Sequence, residues 1–238
     1  MSFKKDVTAV RSFGGGRIRQ TGFHAFTITK AYDRDSQSTL SKALHLDVVT
    51  DDGASGQLDL WFQGKDGTGL DKNGKPLSAL SSINDLMVLT ELDNLNAKAA
   101  MVDIYDFDVR ADVKVKKMAY MDLVGKHIGG VFQMVSEGKR TQVGGEWTTS
   151  STEFVQRPEF KCFTSDTGQS AKEFLDGADP VSIEKYVASL DPVKGVAPGD
   201  ARIIQQAQNQ PNAPVGDAPG FTKSAPDSFD DDFEDLPF

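Results

Sequence analysis

Three runs of alternating apolar and polar residues, a helically spaced segment after the third, and further extended segments beyond it predict a mainly β fold for this 238-residue chain. That order of elements is the order in an OB-fold-like Greek-key barrel with one helix between strands 3 and 4, extra strands and short helices, and a disordered acidic C-terminal tail, and other barrels and sandwiches also accommodate it. The length suffices for one large domain or two small ones.

Residues 1–20 read as a flexible basic N-terminal arm, with Gly14, Gly15 and Gly16 between Arg11 and the pair Arg17 and Arg19. The three glycines lack the spaced Gly-Lys-Ser/Thr context of a nucleotide loop. Arginines on a mobile arm can close over a phosphate backbone, though basic N-termini also occur without that role. Residues 21–190 are the barrel domain. Its first strand spans residues 22–32, G-F-H-A-F-T-I-T-K-A-Y, and residues 42–50 alternate Leu44, Leu46 and Val48 against His45 and Asp47. After a turn at Asp51-Asp52-Gly53, residues 57–63 return with Leu58, Leu60 and Phe62 on one face and Asp59, Trp61 and Gln63 on the other. A tryptophan that points away from the core is either a binding surface or covered by another segment. Phe23 and Tyr32 carry the same two readings.

Residues 64–76 form a loop holding Lys65, Lys72 and Lys75, and residues 78–90 have helical spacing, with Ser78 or Ser81 as cap. Residues 100–117 read as one long strand, bent or interrupted, ending V-K-V-K-K. Lys114 and Lys116 there would lay cations along a phosphate track or guard an edge strand. Residues 123–137 form a strand curved by its glycines, residues 138–140 open a loop that runs through Gly144 and Gly145 towards Trp147, and residues 153–163 are extended, with Pro158 marking an edge or bulge. Residues 171–176 and 181–190 predict short helices. From 191 to 226 Pro, Gly, Ala, Gln and Asn dominate and Phe221 is the single aromatic, which predicts a disordered linker.

Cys162 is the only cysteine, so an intramolecular disulfide and a Cys-based zinc cluster are excluded. No apolar run reaches the ~18 residues of a membrane span, and M-S-F-K-K-D lacks the apolar stretch of a signal peptide, so a cytoplasmic location and no membrane partner are expected. The net charge of −9 is segregated: residues 191–238 hold nine acidic and three basic residues, while residues 1–30 hold six basic residues against Asp6. Residues 110–140 hold seven basic against three acidic residues. A locally basic body with an acidic arm suits a phosphate binder with an intramolecular competitor.

The last twelve residues, 227–238, read D-S-F-D-D-D-F-E-D-L-P-F. Six carboxylates cannot bury enough apolar surface to order such a segment, yet Phe229, Phe233 and Phe238 suit capture in a partner's pocket, a basic residue holding the terminal carboxylate. This tip resembles the acidic C-terminal tip of the bacterial single-stranded DNA-binding protein family, an aspartate run closed by a hydrophobic residue, Pro and Phe. Asp230, Asp231, Asp232, Glu234, Asp235, Leu236, Pro237 and Phe238 match it, with Phe233 inside the run. The segments G-F-H-A-F-T-I-T-K-A-Y, D-D-G and L-V-G-K-H-I-G-G-V-F-Q resemble divergent single-stranded DNA-binding proteins of bacteriophages. The resemblance implies a protein that coats single-stranded DNA during replication or recombination and recruits replication and recombination proteins through its tip, with no cofactor and with room for a homo-oligomer. For the DNA contacts, the rings are Trp61, Phe23, Tyr32 and Trp147, and the cations Arg17, Arg19, Lys30, Lys114 and Lys116. Two neighbouring functions stay open: an annealing or recombination-mediating relative, and an interaction protein that only displays the tip.

An enzyme is the remaining class. His24, His45 and His127 lack metal-ligand spacing. Asp47, Asp51, Asp52, Asp59, Asp103, Asp106 and Asp108 could supply a two-metal nuclease site, although aspartates on solvated strand faces and in turns are commoner. No G-x-S-x-G, Walker or Cys/His nucleophile pattern is present, and a non-enzymatic protein without a metal is expected.

Overall fold

The computed structural model describes residues 17–36, 39–106, 109–143, 146–197, 199 and 202–204. In chain order these form β1 (Gly22–Asp35), β2 (Lys42–Thr50), β3 (Ser55–Gln63), α1 (Ser78–Leu89), β4 (Lys98–Asp106), β5 (Ala111–Ala119), β6 (His127–Val143), β7 (Glu146–Thr164), α2 (Ala171–Asp176), α3 (Val181–Ser189), β8 (Val193–Lys194) and β9 (Arg202–Ile204). The chain divides into Met1–Gln208 and Asn209–Phe238, and all of the second unit, with the acidic tip, lies outside the described residues. So do residues 1–16 of the basic arm.

The fold is mainly β, an open sheet in the order β3-β2-β1-β6-β7-β9. Strand β1 is long because it serves two partners: residues 22–27 pair with β6, and residues 26–35 pair with β2. Among the described residues β3 and β7 do not pair, and α1, the helix between the third and fourth strands, packs against both. The core lies under this arrangement. Phe26, Ile28, Leu44, Leu46, Val48, Leu58 and Leu60 from β1 to β3 meet Leu86 and Leu89 of α1, and Ile128, Phe132 and Phe163 of β6 and β7.

One irregularity in β1 decides what the other face of the sheet carries. Strict alternation would keep Lys30 and Tyr32 on the same face as the buried Phe26 and Ile28. A β-bulge between Ile28 and Lys30 adds one residue, so Ala31 takes the inward place opposite Leu46 and Lys30, Tyr32 and Arg34 turn outward.

Four expectations need correction. Residues 100–117 are not one strand but the hairpin β4–β5, fully paired from Lys98↔Ala119 to Asp106↔Ala111 and joined to the sheet by the Tyr32↔Ala119 pair. Its turn contains Arg110 at φ 53°, a conformation usually left to glycine or asparagine, and the Val109 N–H donates to the Asp106 carboxylate at 3.1 Å; without glycine or proline, the turn does not stand out in the sequence. The loop expected from residue 138 is instead a continuation of β6 and β7 into a two-stranded arm, Arg140↔Thr149 to Val143↔Glu146. Gly138 is a glycine because a side chain there would collide with the Ser150 carbonyl. Helix α1 has Leu77 at its N-cap with no side-chain hydrogen bond; Ser78 is its first helical residue. Finally, both boundaries of the domain extend further than composition indicates. Ile18 is buried and Arg17 bridges Ser55, while β8 and β9 pair in parallel with β6 and β7 from inside the expected linker.

Candidate nucleic-acid interface

The register of β1, β2 and β3 lays the outward side chains on a grid. Lys30, Asp47 and Gln57 form one row, Tyr32, His45 and Asp59 the next, and Arg34, Ala43 and Trp61 the third. Neighbouring strands are ~4.8 Å apart and alternate residues ~6.7 Å apart, so these side chains form one continuous surface. Ala43 keeps the third row low, and its complete burial is consistent with the larger Arg34 and Trp61 on either side. Trp61 itself is half-buried, while Leu58 and Leu60 behind it are core residues.

The centre of the grid is polar and ordered. His45, only 3% exposed, has Nδ1 2.6 Å from Asp59 and Nε2 3.1 Å from Asp47. Arg34 donates to Asp59 at 2.7 Å, Gln57 donates to Asp47 at 3.1 Å, and the Lys30 ammonium lies 3.4 Å from Asp47. Burial opposes charge on both His45 and Asp47, but their mutual hydrogen bond and the neighbouring charges outweigh it. The His45 pKa is raised above its ordinary value and that of Asp47 is lowered. The Tyr32 ring packs on His45 with centroids 4.7 Å apart. Burial, then the Asp47 charge, pushes its hydroxyl up to about 12.

Hairpin β4–β5 reaches over this face, since Lys30 also donates to the Asp103 carbonyl at 2.6 Å. Its alternation sets Val102, Ile104, Val113 and Val115 on a half-buried side and Met101, Asp103, Tyr105, Lys114, Lys116 and Met118 on an exposed one. Cross-strand pairs Asp103↔Lys114 and Met101↔Lys116 mix cations with apolar bulk along that strip.

Of the residues chosen from sequence, the structure therefore brings together Lys30, Tyr32 and Trp61. Tyr32 needs correction as a stacking ring: at 7% exposure it has no open face to offer a base. Lys114 and Lys116 share the exposed strip of the hairpin. The others lie elsewhere. Phe23 is on the outward side of β1 but seven residues from Lys30, ~23 Å along the strand; its ring lies over Gly129, where a side chain would strike the ring and the Thr164 hydroxyl. Arg17 sits at the opposite end of β3 from Trp61, beside Ser55, and Arg19 lines a groove with Thr21, Val187, Leu190 and Pro192. Trp147 is exposed on the β6–β7 arm opposite Gln142. The tip residues Asp230 to Asp232, Phe233, Glu234, Asp235, Leu236, Pro237 and Phe238 lie outside the described residues.

Sequence reasoning missed Arg34 and the joint position of His45, Asp47 and Asp59. Alternation alone marks His45, Asp47 and Asp59 as outward; Arg34 depends on the bulge. Among the described residues, no three His, Cys, Asp or Glu side chains are placed to hold a metal ion. Asp51 instead pairs with His127 at 2.9 Å. Also among the described residues, no helix is long and apolar enough to cross a membrane. No protein-family model matches the chain, and no curated protein is significantly similar to it.

Proposed function

We propose that this chain is a non-enzymatic, sequence-tolerant single-stranded DNA-binding protein of the cytoplasm, acting in replication or recombination. The observation that carries the reading is the outward face of β1, β2 and β3, where Trp61 and Arg34 flank the small Ala43, beside a hairpin that is tied to β1 through Lys30 and Tyr32 and exposes Lys114 and Lys116. A half-buried indole offers a base a stacking surface, worth ~1–3 kcal/mol per base, and Arg34, two strands away, joins the cations that follow the backbone. In this reading the sheet is an OB-fold-like barrel, with β1 shared between β2 and β6 and α1 set at the gap between β3 and β7. The acidic tip, with its family resemblance, is the recruiting element for replication and recombination proteins. The bases of a duplex hide their faces, so a stacking surface favours single strands. Competition between a dT oligomer and a duplex of equal length at moderate salt tests this. A wide preference for the single strand is expected, and equal binding would overturn the reading in favour of a purely electrostatic surface.

A further inference from the structure

Five side chains on the outward face alternate in charge along one unbroken path. Lys30 lies 3.4 Å from Asp47, Asp47 3.1 Å from His45, His45 2.6 Å from Asp59, and Asp59 2.7 Å from Arg34. His45 stands in the middle, and the geometry fixes its chemistry. A neutral imidazole has one donor and one acceptor nitrogen, whereas an ionised carboxylate only accepts. Carboxylate oxygens at hydrogen-bond distance from both ring nitrogens therefore call for two N–H groups, and the ring holds its second proton. Every element packed here contributes to its surroundings: Lys30, Tyr32 and Arg34 from β1, Asp47 from β2, Gln57 and Asp59 from β3, and the Asp103 carbonyl of β4 through Lys30. The raised pKa of His45 agrees with this arrangement.

With that proton the path carries one net positive charge; without it the charges cancel. Without it, too, Lys30 and Arg34 are left as the cations of this path facing two carboxylates. We infer that His45 is a positioning residue for the nucleic-acid site: when the ring gains its second proton its two N–H groups engage both Asp47 and Asp59, which weakens the hold of these carboxylates on Lys30 and Arg34 and makes their charge available to a phosphate backbone. The inference rests on the single-stranded DNA reading of this same face and adds its regulation. DNA binding tightens as pH falls through the titration of His45. By reciprocity of linked equilibria, bound DNA raises the pKa of His45.

The test uses the full chain and a dT oligomer, titrated between pH 6 and 8.5 at two salt concentrations, with the histidine ring protons followed by NMR in parallel. One released cation steepens the salt dependence by ~0.7 at the low-pH end, so the pH effect itself shrinks about threefold between 50 and 200 mM salt. The His45→Gln variant is expected to lose this pH dependence, and a His24→Gln, His127→Gln double variant to keep it. If His45→Gln fails to fold, the NMR measurement on the unaltered protein decides, through an upward shift of the His45 titration on adding dT. An unshifted His45 titration, or a folded His45→Gln variant with the full pH response, would overturn the inference while leaving DNA binding intact. Failure to bind dT at every pH would instead remove the DNA reading, and this inference with it.

Discussion

Replacing Arg34 with Gln separates the binding role of the outward face from its structural one. The Arg34–Asp59 pair is partly exposed, with side chains 45% and 21% accessible, and such pairs contribute ~0–1 kcal/mol to stability. Asp59 also keeps His45 as a partner at 2.6 Å, so the substitution leaves no buried carboxylate unsatisfied. A loss of at most ~1 kcal/mol corresponds to a fall in Tm of ~2–4 °C for a domain of this size. Binding should respond far more. The guanidinium has five donors and its bond to Asp59 uses Nη1, which leaves the rest of the fork for a phosphate. A charge-assisted contact partly offset by competition from Asp59 gives ~1 kcal/mol, about a fivefold weaker Kd at low salt. The slope of log affinity against log salt should become shallower by ~0.7, the signature of one lost phosphate contact on a single strand. Fluorescence titration with dT oligomers at several salt concentrations, alongside thermal melting, measures both quantities. An unchanged salt slope, or a stability loss well above ~1 kcal/mol with normal affinity, would refute the reasoning.

Substituting Trp61 with Ala should weaken dT binding by ~1–3 kcal/mol, or ~5- to 150-fold, if one base stacks on it; an unaltered Kd in a folded variant removes Trp61 from the site. Phe132, 2% exposed with ring neighbours Phe160 at 5.5 Å, His24 at 5.8 Å and Phe26 at 6.2 Å, should cost ~3–5 kcal/mol as Phe132→Ala in chemical denaturation. His45 has a folded pKa above its ordinary 6.5, so its contribution to stability is fully present below that value and is lost as pH rises through the folded pKa. Melting curves across this range should show that decline, and a rise in stability instead would contradict the assignment of its partners. On the proposed competition of the tip carboxylates with DNA, deleting residues 227–238 should strengthen DNA binding at low salt and less so at high salt. Phe238→Ala should impair partner recruitment with little change in DNA affinity; normal recruitment would argue against the pocket role of the terminal ring.

The parts of this fold legible in sequence are those set by local periodicity. The strand at residues 42–50 falls where alternation places it, and the helix expected at 171–176 forms there, held at its start by the capping box of Ser170 and Glu173. What was not legible depends on partners distant in the chain. The bulge after Ile28 is visible only once β2 is aligned, because nothing in T-I-T-K breaks the local pattern. Gly138 reads as a turn residue locally, yet it serves a close backbone approach to Ser150, and Arg110 turns the β4–β5 hairpin without glycine or proline. Ile18 belongs to the core through Gly56 and Val48, which no reading of a basic arm reveals. For the site, alternation set Trp61 outward, whereas the burial of Tyr32 follows from a histidine 13 residues away and a hairpin hung from β5.

Tryptophan fluorescence of the Trp147→Phe protein tests the central claim most directly, because Trp61 is then the sole indole in the chain. Stacking of a base on Trp61 predicts saturable quenching on titration with a dT oligomer, reversed by salt, with little response to a duplex of the same length. Saturable dT binding detected through a labelled oligomer, with no change in Trp61 emission, would place the DNA somewhere other than the outward face of β1, β2 and β3.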